Sequence, residues 1–217
     1  MVDRLFGLYG AGGFGREVLP LARAQLGSGW RIVFVETEPH AAEVNGVDLL
    51  SEDEFFRTPA AERRFAVTIA DSHVRAAIAQ RCVERDAQPL SLHAAGVTIY
   101  DACEIGEGAI LCAHTTITSN VRIGRHFHAN IYSYVAHDCV IGDHVTFAPR
   151  VSCNGNVHIG DHAYIGTGAV IRPGVPGGRP LTIGEGAIVG MGAVVLEDVA
   201  PHATVVGSPA KPLVRRR

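Results

Sequence analysis

Residues 121–142 read VRIGRHFHANIYSYVAHDCVIG, and their spacing decides the fold of the C-terminal half. Ile123, Ala129, Val135 and Ile141 follow one another in this stretch at every sixth position. The same phase continues from Ile99 to Val195, and Ile, Leu or Val occupies thirteen of the seventeen positions. A single phase held for about 100 residues predicts a hexapeptide β-helix, in which each unit forms one short strand and one corner.

Residues 1–92 have a different pattern, in which apolar strands alternate with helices. The runs that predict strands are Leu5–Tyr9, Arg31–Val35, Ala66–Ala70 and Pro89–Leu92. One helix is predicted from about Phe14, after a glycine loop, and a second helix is capped by Asp71 or Ser72. Such alternation indicates a small Rossmann-like parallel sheet. We therefore expect two domains, residues 1–92 and residues 93–217.

Composition excludes several classes of protein. The 217 residues include 19 Lys and Arg against 22 Asp and Glu, a balance that argues against nucleic-acid binding. No apolar run approaches the ~18 residues of a membrane span, and the N-terminus lacks the pattern of a signal peptide. Five cysteines without a C-x-x-C pair predict small core residues in a reducing compartment, and we expect a cytoplasmic protein.

Several motifs together resemble one family. They are the hexads themselves, Tyr9-Gly10-Ala11-Gly12-Gly13-Phe14-Gly15-Arg16-Glu17, Val35-Glu36-Thr37, Ala136-His137-Asp138 and Asn154-Gly155-Asn156-Val157. The chain resembles the hexapeptide acyltransferases, and within them the nucleotide-amino-sugar N-acetyltransferases of the bacillosamine and perosamine type, including sialic-acid O-acetyltransferase-like proteins. The resemblance implies a left-handed, three-sided β-helix with coils of about 18 residues, a homotrimer, and acetyl-CoA bound between adjacent prisms.

The same resemblance implies the reaction. Acetyl-CoA would be the co-substrate, with no metal, and the acceptor would be the amine of a nucleotide-linked amino sugar, of the 4-amino-4,6-dideoxy type. The product would serve polysaccharide biosynthesis. The acceptor amine would attack the thioester directly, so that no Cys or Ser nucleophile is required.

His137 is the predicted general base, because imidazole titrates near neutral pH. By the resemblance, Asp138 orients His137. One coil after His137 the chain reaches Gly155, which would therefore lie one strand spacing above it. The family uses a backbone N–H at this glycine to hold the thioester oxygen as negative charge develops.

The resemblance also predicts the binding residues. The acceptor would contact Gly10, Gly12, Gly13, Phe14, Glu36, Thr37 and Asn130, and acetyl-CoA would contact Gly155, Thr167, Gly190 and Lys211. Three places depart from the pattern of the relatives. Phe14 and Thr146 each stand where relatives often carry a His, and Glu36-Thr37 stands where they often carry an Asp pair. These departures leave the nucleotide and its contacts open.

Other functions remain open from the sequence. The segment Gly10–Gly15, followed by Glu36 in the next strand, also fits a dinucleotide-binding fingerprint and an NAD-dependent oxidoreductase. The same site residues would serve a sugar O-acetyltransferase or a non-catalytic nucleotide-sugar-binding scaffold. His126, His144 and His162 share one hexad position and raise the possibility of zinc, but stacked rings do not converge on a tetrahedral metal. We expect them to form a solvated ladder.

Overall fold

The computed structural model describes residues 4–213. Its contacts divide the chain into two units, the first ending at His93 and the second beginning at Ala94. The boundary predicted from the sequence lay after residue 92. Within residues 4–213, no helix is long and apolar enough to cross a membrane.

The N-terminal unit is a sheet flanked by helices. Its strands are β1 (Arg4–Tyr9), β2 (Arg31–Glu36), β3 (Glu43–Val44), β4 (Val47–Ser51), β5 (Glu62–Val67), β6 (Gln88–Pro89) and β7 (Leu92–His93). Its helices are α1 (Gly13–Leu26), α2 (Glu52–Arg57) and α3 (Ser72–Glu84), with a 3-10 turn at Gly27–Gly29. The strand order of the sheet is β3-β4-β2-β1-β5-β6, and every pair is parallel except β3 with β4. The short strand β7, at the end of this unit, does not belong to the sheet.

Apolar residues of the central strands form the core of this sheet. Strand β1 lies between β2 and β5, and the ring of Tyr9 meets the edges of Phe55 and Phe65, with centroids 5.9 and 6.3 Å apart. Such edge-to-face contacts fix ring orientation as well as bury area. Helix α3 is capped by Asp71, whose carboxylate accepts hydrogen bonds from the N–H groups of His73 and Val74.

The structure corrects the predicted strands of this unit. Strand β5 starts at Glu62 rather than at the predicted Ala66, because charged residues open it. The Arg63 guanidinium leaves the sheet and donates to the carbonyls of Phe56 and Thr58. The predicted strand Pro89–Leu92 is wrong, since two short strands, β6 and β7, lie there instead. Strands β3 and β4 and helix α2 were not predicted.

The C-terminal unit is a parallel β-helix of short strands. They are β8 (Thr98–Ile99), β9 (Glu104–Ile105), β10 (Ile110–Leu111), β11 (Thr116–Ile117), β12 (Arg122–Ile123), β13 (His128–Ala129), β14 (Tyr134–Val135), β15 (Val140–Ile141), β16 (Thr146–Phe147), β17 (Ser152–Cys153), β18 (Val157–Ile159), β19 (Tyr164–Ile165), β20 (Val170–Ile171), β21 (Leu181–Ile183), β22 (Ile188–Val189), β23 (Val194–Val195), β24 (Thr204–Val206) and β25 (Lys211–Pro212).

These strands form three faces. Face 1 contains β8, β11, β14, β17, β20 and β23; face 2 contains β9, β12, β15, β18 and β21; face 3 contains β10, β13, β16, β19, β22 and β24, with β25 antiparallel at its end. In the regular coils each strand residue pairs with the residue one full coil later, as Tyr134 does with Ser152. The hexad residues point inward, and most of them form one continuous buried core. Four of the five cysteines are buried, Cys103 being the partly exposed one.

The corners of the β-helix use left-handed backbone. At the corner between faces 1 and 2, Asn120, Asp138 and Asn156 have φ near +60°, and each lies one coil after the one before it. Asn and Asp tolerate this region better than most residues with a Cβ. The corner between faces 2 and 3 contains His126, and the corner between faces 3 and 1 contains Tyr132, both also with positive φ.

One coil is longer than the others. Ile141 pairs with Ile159 across a regular coil. Ile159, however, pairs with Ile183, so this coil is one hexad longer than a regular one. The additional residues form a Pro- and Gly-rich loop between β20 and β21. Gly177, counted from the sequence as a hexad position, lies in this loop and in no strand. The hexad phase survives because the loop adds one whole hexad.

Candidate active site

The corner that follows strand β14 carries a paired imidazole and carboxylate. His137 Nδ1 lies 2.8 Å from Asp138 Oδ2. An ionised carboxylate can only accept, so Nδ1 carries the proton and Nε2 keeps its lone pair. The His137 side chain is 64% exposed, which leaves Nε2 accessible to a reactant. This arrangement can accept a proton at Nε2 and stabilise the resulting imidazolium.

Asp138 is held in its charged form by two donors. The hydrogen bond with His137 is the larger influence, and it lowers the pKa of the Asp138 carboxyl below its usual range. Asn120, one coil earlier, adds a smaller effect through Nδ2, which donates to Asp138 Oδ1 at 3.3 Å. The left-handed corner aims the Asp138 side chain at these donors.

Gly155 lies against the imidazole, one coil after His137. A Cβ added at Gly155 would lie 2.5 Å from His137 Cε1 and 2.6 Å from Nε2. Only glycine leaves room for the ring in this position. Among residues 4–213, no group accepts a hydrogen bond from the Gly155 N–H, whereas the Gly155 carbonyl accepts from the N–H of Gly174. A free backbone donor therefore stands beside the free ring nitrogen.

The other residues predicted from the resemblance for this reaction lie elsewhere on the prism. Thr167 belongs to the corner between faces 3 and 1, and Asn130 and Gly190 directly follow strands of face 3 at that same corner. Lys211 begins β25, and its Nζ lies 4.0 Å from Glu197 Oε2. His137, Asp138 and Gly155 occupy the corner between faces 1 and 2. A single chain therefore does not gather all the predicted residues around one point.

Thr146 and Asn130 are both tied into the β-helix. Thr146 is buried in strand β16, paired with His128 and Tyr164. Asn130 Nδ2 donates to the Phe147 carbonyl at 3.0 Å. The amide oxygen of Asn130 is the part of that side chain left for a ligand.

The N-terminal unit has a cavity of about 530 Å³ at the carboxyl ends of its strands. Its lining includes six residues predicted for the acceptor, namely Gly10, Gly12, Gly13, Phe14, Glu36 and Thr37. The size is in the range of small-molecule sites, and ligands of open α/β sheets bind at this edge.

The glycine loop of this cavity is fixed by its neighbours. Thr68 Oγ1 donates to the carbonyl of Gly10 at 2.9 Å, and the Ala11 N–H donates to Glu36 Oε1 at 3.0 Å. A Cβ at Gly15 would lie 1.9 Å from the Gly10 carbonyl oxygen, so the helix can start here only with glycine. The loop and the start of α1 together form a cradle typical of phosphate sites.

Sequence reasoning missed several residues of these sites, among them two charged residues of the cavity and one amide beside Asp138. Glu52 and Arg81 line the N-terminal cavity, and Asn120 contacts Asp138. A signal for the first was present, because Ser51 and Glu54 form a capping box that marks the start of α2 at Glu52. The signal for Asn120 was its place one coil before Asp138.

The predicted stack of three histidines is confirmed, but the prediction that the stack is solvated is wrong for two of them. The rings of His126, His144 and His162 stack with centroids 5.1 and 5.2 Å apart, but His126 and His144 are buried. Within the described part of the chain, no group of three or more His, Cys, Asp or Glu residues has the arrangement of a metal site.

Comparison with known proteins gives consistent matches. Residues 6–82 match the family model of the PglD N-terminal domain. The chain is 46% identical over 215 residues to GDP-perosamine N-acetyltransferase of Escherichia coli O157:H7, covering 97% of each protein.

Two solved structures extend the match to the whole fold. WeeI from Acinetobacter baumannii AYE has a TM-score of 0.94 and 50% identity, covering 97% of this chain and all of that one. A variant of perosamine N-acetyltransferase from Caulobacter crescentus, solved with CoA and GDP-perosamine, has a TM-score of 0.88 and 25% identity, covering 99% and 98%. The predicted fold class, a Rossmann-like parallel sheet followed by a left-handed parallel β-helix, is confirmed. The chain is an acyltransferase and belongs to the family of the nucleotide-amino-sugar N-acetyltransferases.

Proposed function

We propose that the protein transfers an acetyl group from acetyl-CoA to the 4-amino group of GDP-perosamine, with His137 as the general base. The relative that is 46% identical over nearly the whole chain carries this activity in its name, and the Caulobacter crescentus protein was solved with CoA and this nucleotide sugar. The observation in this chain that supports the chemistry is the pairing of His137 Nδ1 with Asp138.

The neutral amine of the acceptor attacks the thioester carbonyl carbon, and a carbon–nitrogen bond forms. Negative charge moves to the carbonyl oxygen, where the free N–H of Gly155 stabilises it. His137 Nε2 takes the proton that the nitrogen loses. The tetrahedral intermediate then collapses, the carbon–sulfur bond breaks, and the sulfur of CoA leaves and takes a proton from the imidazolium. No covalent enzyme intermediate is needed.

The test is release of free CoA thiol from acetyl-CoA with GDP-perosamine, compared between wild type and His137→Asn. Asparagine keeps the approximate volume but cannot accept a proton, and loss of a general base reduces turnover by about 10²–10⁴-fold. His202→Asn is the matched control, because His202 is exposed and lies at a different corner, between faces 2 and 3. Unchanged turnover in His137→Asn would refute the assigned base. Turnover with hydroxylated sugars and none with amines would favour the O-acetyltransferase instead.

A homotrimer is the second part of the proposal. Thr167, Asn130 and Gly190 lie at a different corner from His137, so a complete site would need one corner from each of two neighbouring chains. Closed cyclic assemblies bring two different surface patches together in this way.

Mixing experiments test this arrangement. His137→Asn and Thr167→Arg should each be inactive as pure proteins. A mixture reassembled from equal amounts should regain about one quarter of the wild-type sites, because one site in each mixed trimer then receives both intact corners. Absence of any recovered activity, with mixed trimers demonstrated by mass, would refute the shared site.

A further inference from the structure

A second cavity adjoins the one beside the glycine loop. Its volume is about 490 Å³, and Thr37, Ser51, Glu52, Asp53 and Arg81 line it. Thr37, Glu52 and Arg81 line both cavities. The glycine loop follows β1, Glu36 ends β2 and Ser51 ends β4, and these parallel strands are neighbours in the order β4-β2-β1. The two cavities therefore form a groove that crosses the carboxyl ends of three strands.

The direction of a nucleotide along this groove follows from the cradle. Phosphates belong at the glycine loop and the start of α1, where backbone N–H groups point outward. The nucleoside then extends past Glu36 towards the second cavity, at the end of β4. Both oxygens of Glu36 are already engaged, Oε1 by the Ala11 N–H and Oε2 by His40 Nδ1 at 3.0 Å. Glu36 thus holds the glycine loop in place, and a different acidic side chain contacts the part of the nucleotide in the second cavity.

That acid is Glu52, which is joined to Arg81. Arg81 Nε lies 3.3 Å from Glu52 Oε1, and Arg81 Nη2 lies 3.0 Å from Oε2. The Glu52 side chain is only 20% exposed, and Arg85 Nη1 lies 3.6 Å from Oε1. Each carboxylate oxygen retains a further lone pair, and the Arg81 guanidinium has five N–H groups, of which this pairing uses two. The pair therefore offers acceptors and donors side by side.

We infer that the Glu52–Arg81 pair forms hydrogen bonds with the base of the nucleotide sugar and selects guanine. Guanine presents two adjacent donors, N1–H and the 2-amino group, which one carboxylate can accept together. Its O6 and N7 are acceptors, which suit an arginine. Uracil has an oxygen in place of the 2-amino group, and this oxygen would face the carboxylate without a hydrogen. Adenine reverses the donor and acceptor at the corresponding edge. This inference rests on the proposed function, whose acceptor is a nucleotide sugar.

The test is the binding of free nucleoside diphosphates by calorimetry, which does not depend on acetyl transfer. GDP, IDP and UDP are the probes, and IDP differs from GDP only by lacking the 2-amino group. We expect wild type to bind GDP at least about tenfold more tightly than IDP or UDP, since one good bidentate contact discriminates by about that factor or more. Equal affinities for GDP and IDP would overturn the role of Glu52.

Variants assign the preference to the pair. Glu52→Gln keeps the volume and should weaken GDP by about tenfold while changing IDP much less, so that the preference disappears. Arg81→Met should weaken both, because both bases retain O6 and N7. Glu84→Gln, the same chemical change on an exposed residue of α3, is the control and should leave all affinities unchanged. A GDP preference that persists in Glu52→Gln would overturn the inference.

The outcomes separate this inference from the proposed function. If the GDP preference is absent but thiol release with GDP-perosamine depends on His137, the inference fails and the acetyltransferase stands. If neither GDP nor UDP binds, the inference and the nucleotide site of the proposed function both fail.

Discussion

Replacing Gly155 with alanine tests whether His137 works in the position where the structure places it. The new Cβ would lie 2.5 Å from His137 Cε1, 2.6 Å from Nε2 and 3.0 Å from Nδ1. Ordinary contacts between non-bonded atoms lie at about 3.5–4.0 Å, so the ring has to retreat by about 1 Å. The ring is 64% exposed and free to move outward, so the change should act on the imidazole and leave the backbone in place.

The expected magnitude follows from this displacement. A misplacement of about 1 Å in a catalytic geometry can reduce the rate about 10²-fold. We therefore expect Gly155→Ala to lower kcat for thiol release by about this factor, with a much smaller change in KM for acetyl-CoA. Thermal unfolding should stay close to wild type, because no backbone atom is among the three nearest neighbours of the added methyl group.

A matched glycine separates activity from stability. At Gly106, another corner of the same β-helix, an added Cβ would meet the backbone, 2.6 Å from the Gly124 carbonyl carbon and 2.7 Å from the Arg125 nitrogen. These backbone atoms are held in the β-helix and cannot move away from the added methyl group, so Gly106→Ala should lower Tm. Gly29→Ala has no atom within 4 Å and should change neither property.

Wild-type kcat and KM in Gly155→Ala would refute this expectation, because the ring would then react from some other position. A large loss of Tm in Gly155→Ala, similar to that of Gly106→Ala, would also contradict it. The substitution would in that case disturb the backbone of the corner as well as the imidazole that packs against this glycine.

Three further predictions concern other contacts. Asp138→Asn should lower kcat by about tenfold to a hundredfold, because an amide can donate to His137 Nδ1 and so favour the tautomer with the proton on Nε2. The loss should appear at every pH between about 5 and 8, since the lowered pKa keeps the wild-type Asp138 carboxyl ionised over this range. Asn120→Ala should reduce kcat less, by about two- to fivefold, and a KM that changes more than kcat would argue against its role in positioning Asp138. Gly15→Ala should destabilise the protein by about 1–3 kcal/mol or more, because the Cβ meets a carbonyl oxygen of the backbone; chemical unfolding that shows no change would contradict the tight start of α1.

The β-helix could be predicted from the sequence because each of its coils repeats the same physical requirement. Every hexad must bury one apolar side chain, and pairing between successive coils fixes the register. The position of Gly155 above His137 could therefore be predicted from the sequence alone. The N-terminal sheet is less regular. Its strand β5 opens with charged residues whose side chains leave the sheet, and no periodic pattern marks that start.

The candidate sites could be predicted where one local motif or the repeat of the coil contains the residues. His137 and Asp138 are adjacent in sequence, and the glycine loop is one continuous segment. Glu52 and Arg81 come together from α2 and α3, which are separated by strand β5, and no short-range pattern joins them. The buried His126 and His144 show the opposite error, because ring stacking and packing at a corner enclose side chains that hexad position alone places at the surface.

The long coil has a consequence for how this protein can change. Its loop lies directly above the His137 corner, where the Gly174 N–H donates to the Gly155 carbonyl and Asn156 Nδ2 donates to the Val175 carbonyl. Because the loop adds one whole hexad, every later side chain still faces the side it would face without the loop. Insertions and deletions of whole hexads at this corner therefore change the surface beside His137 and Asp138 without repacking the core. The length of the chain at this corner can therefore vary in steps of six residues while the register of the later strands is kept.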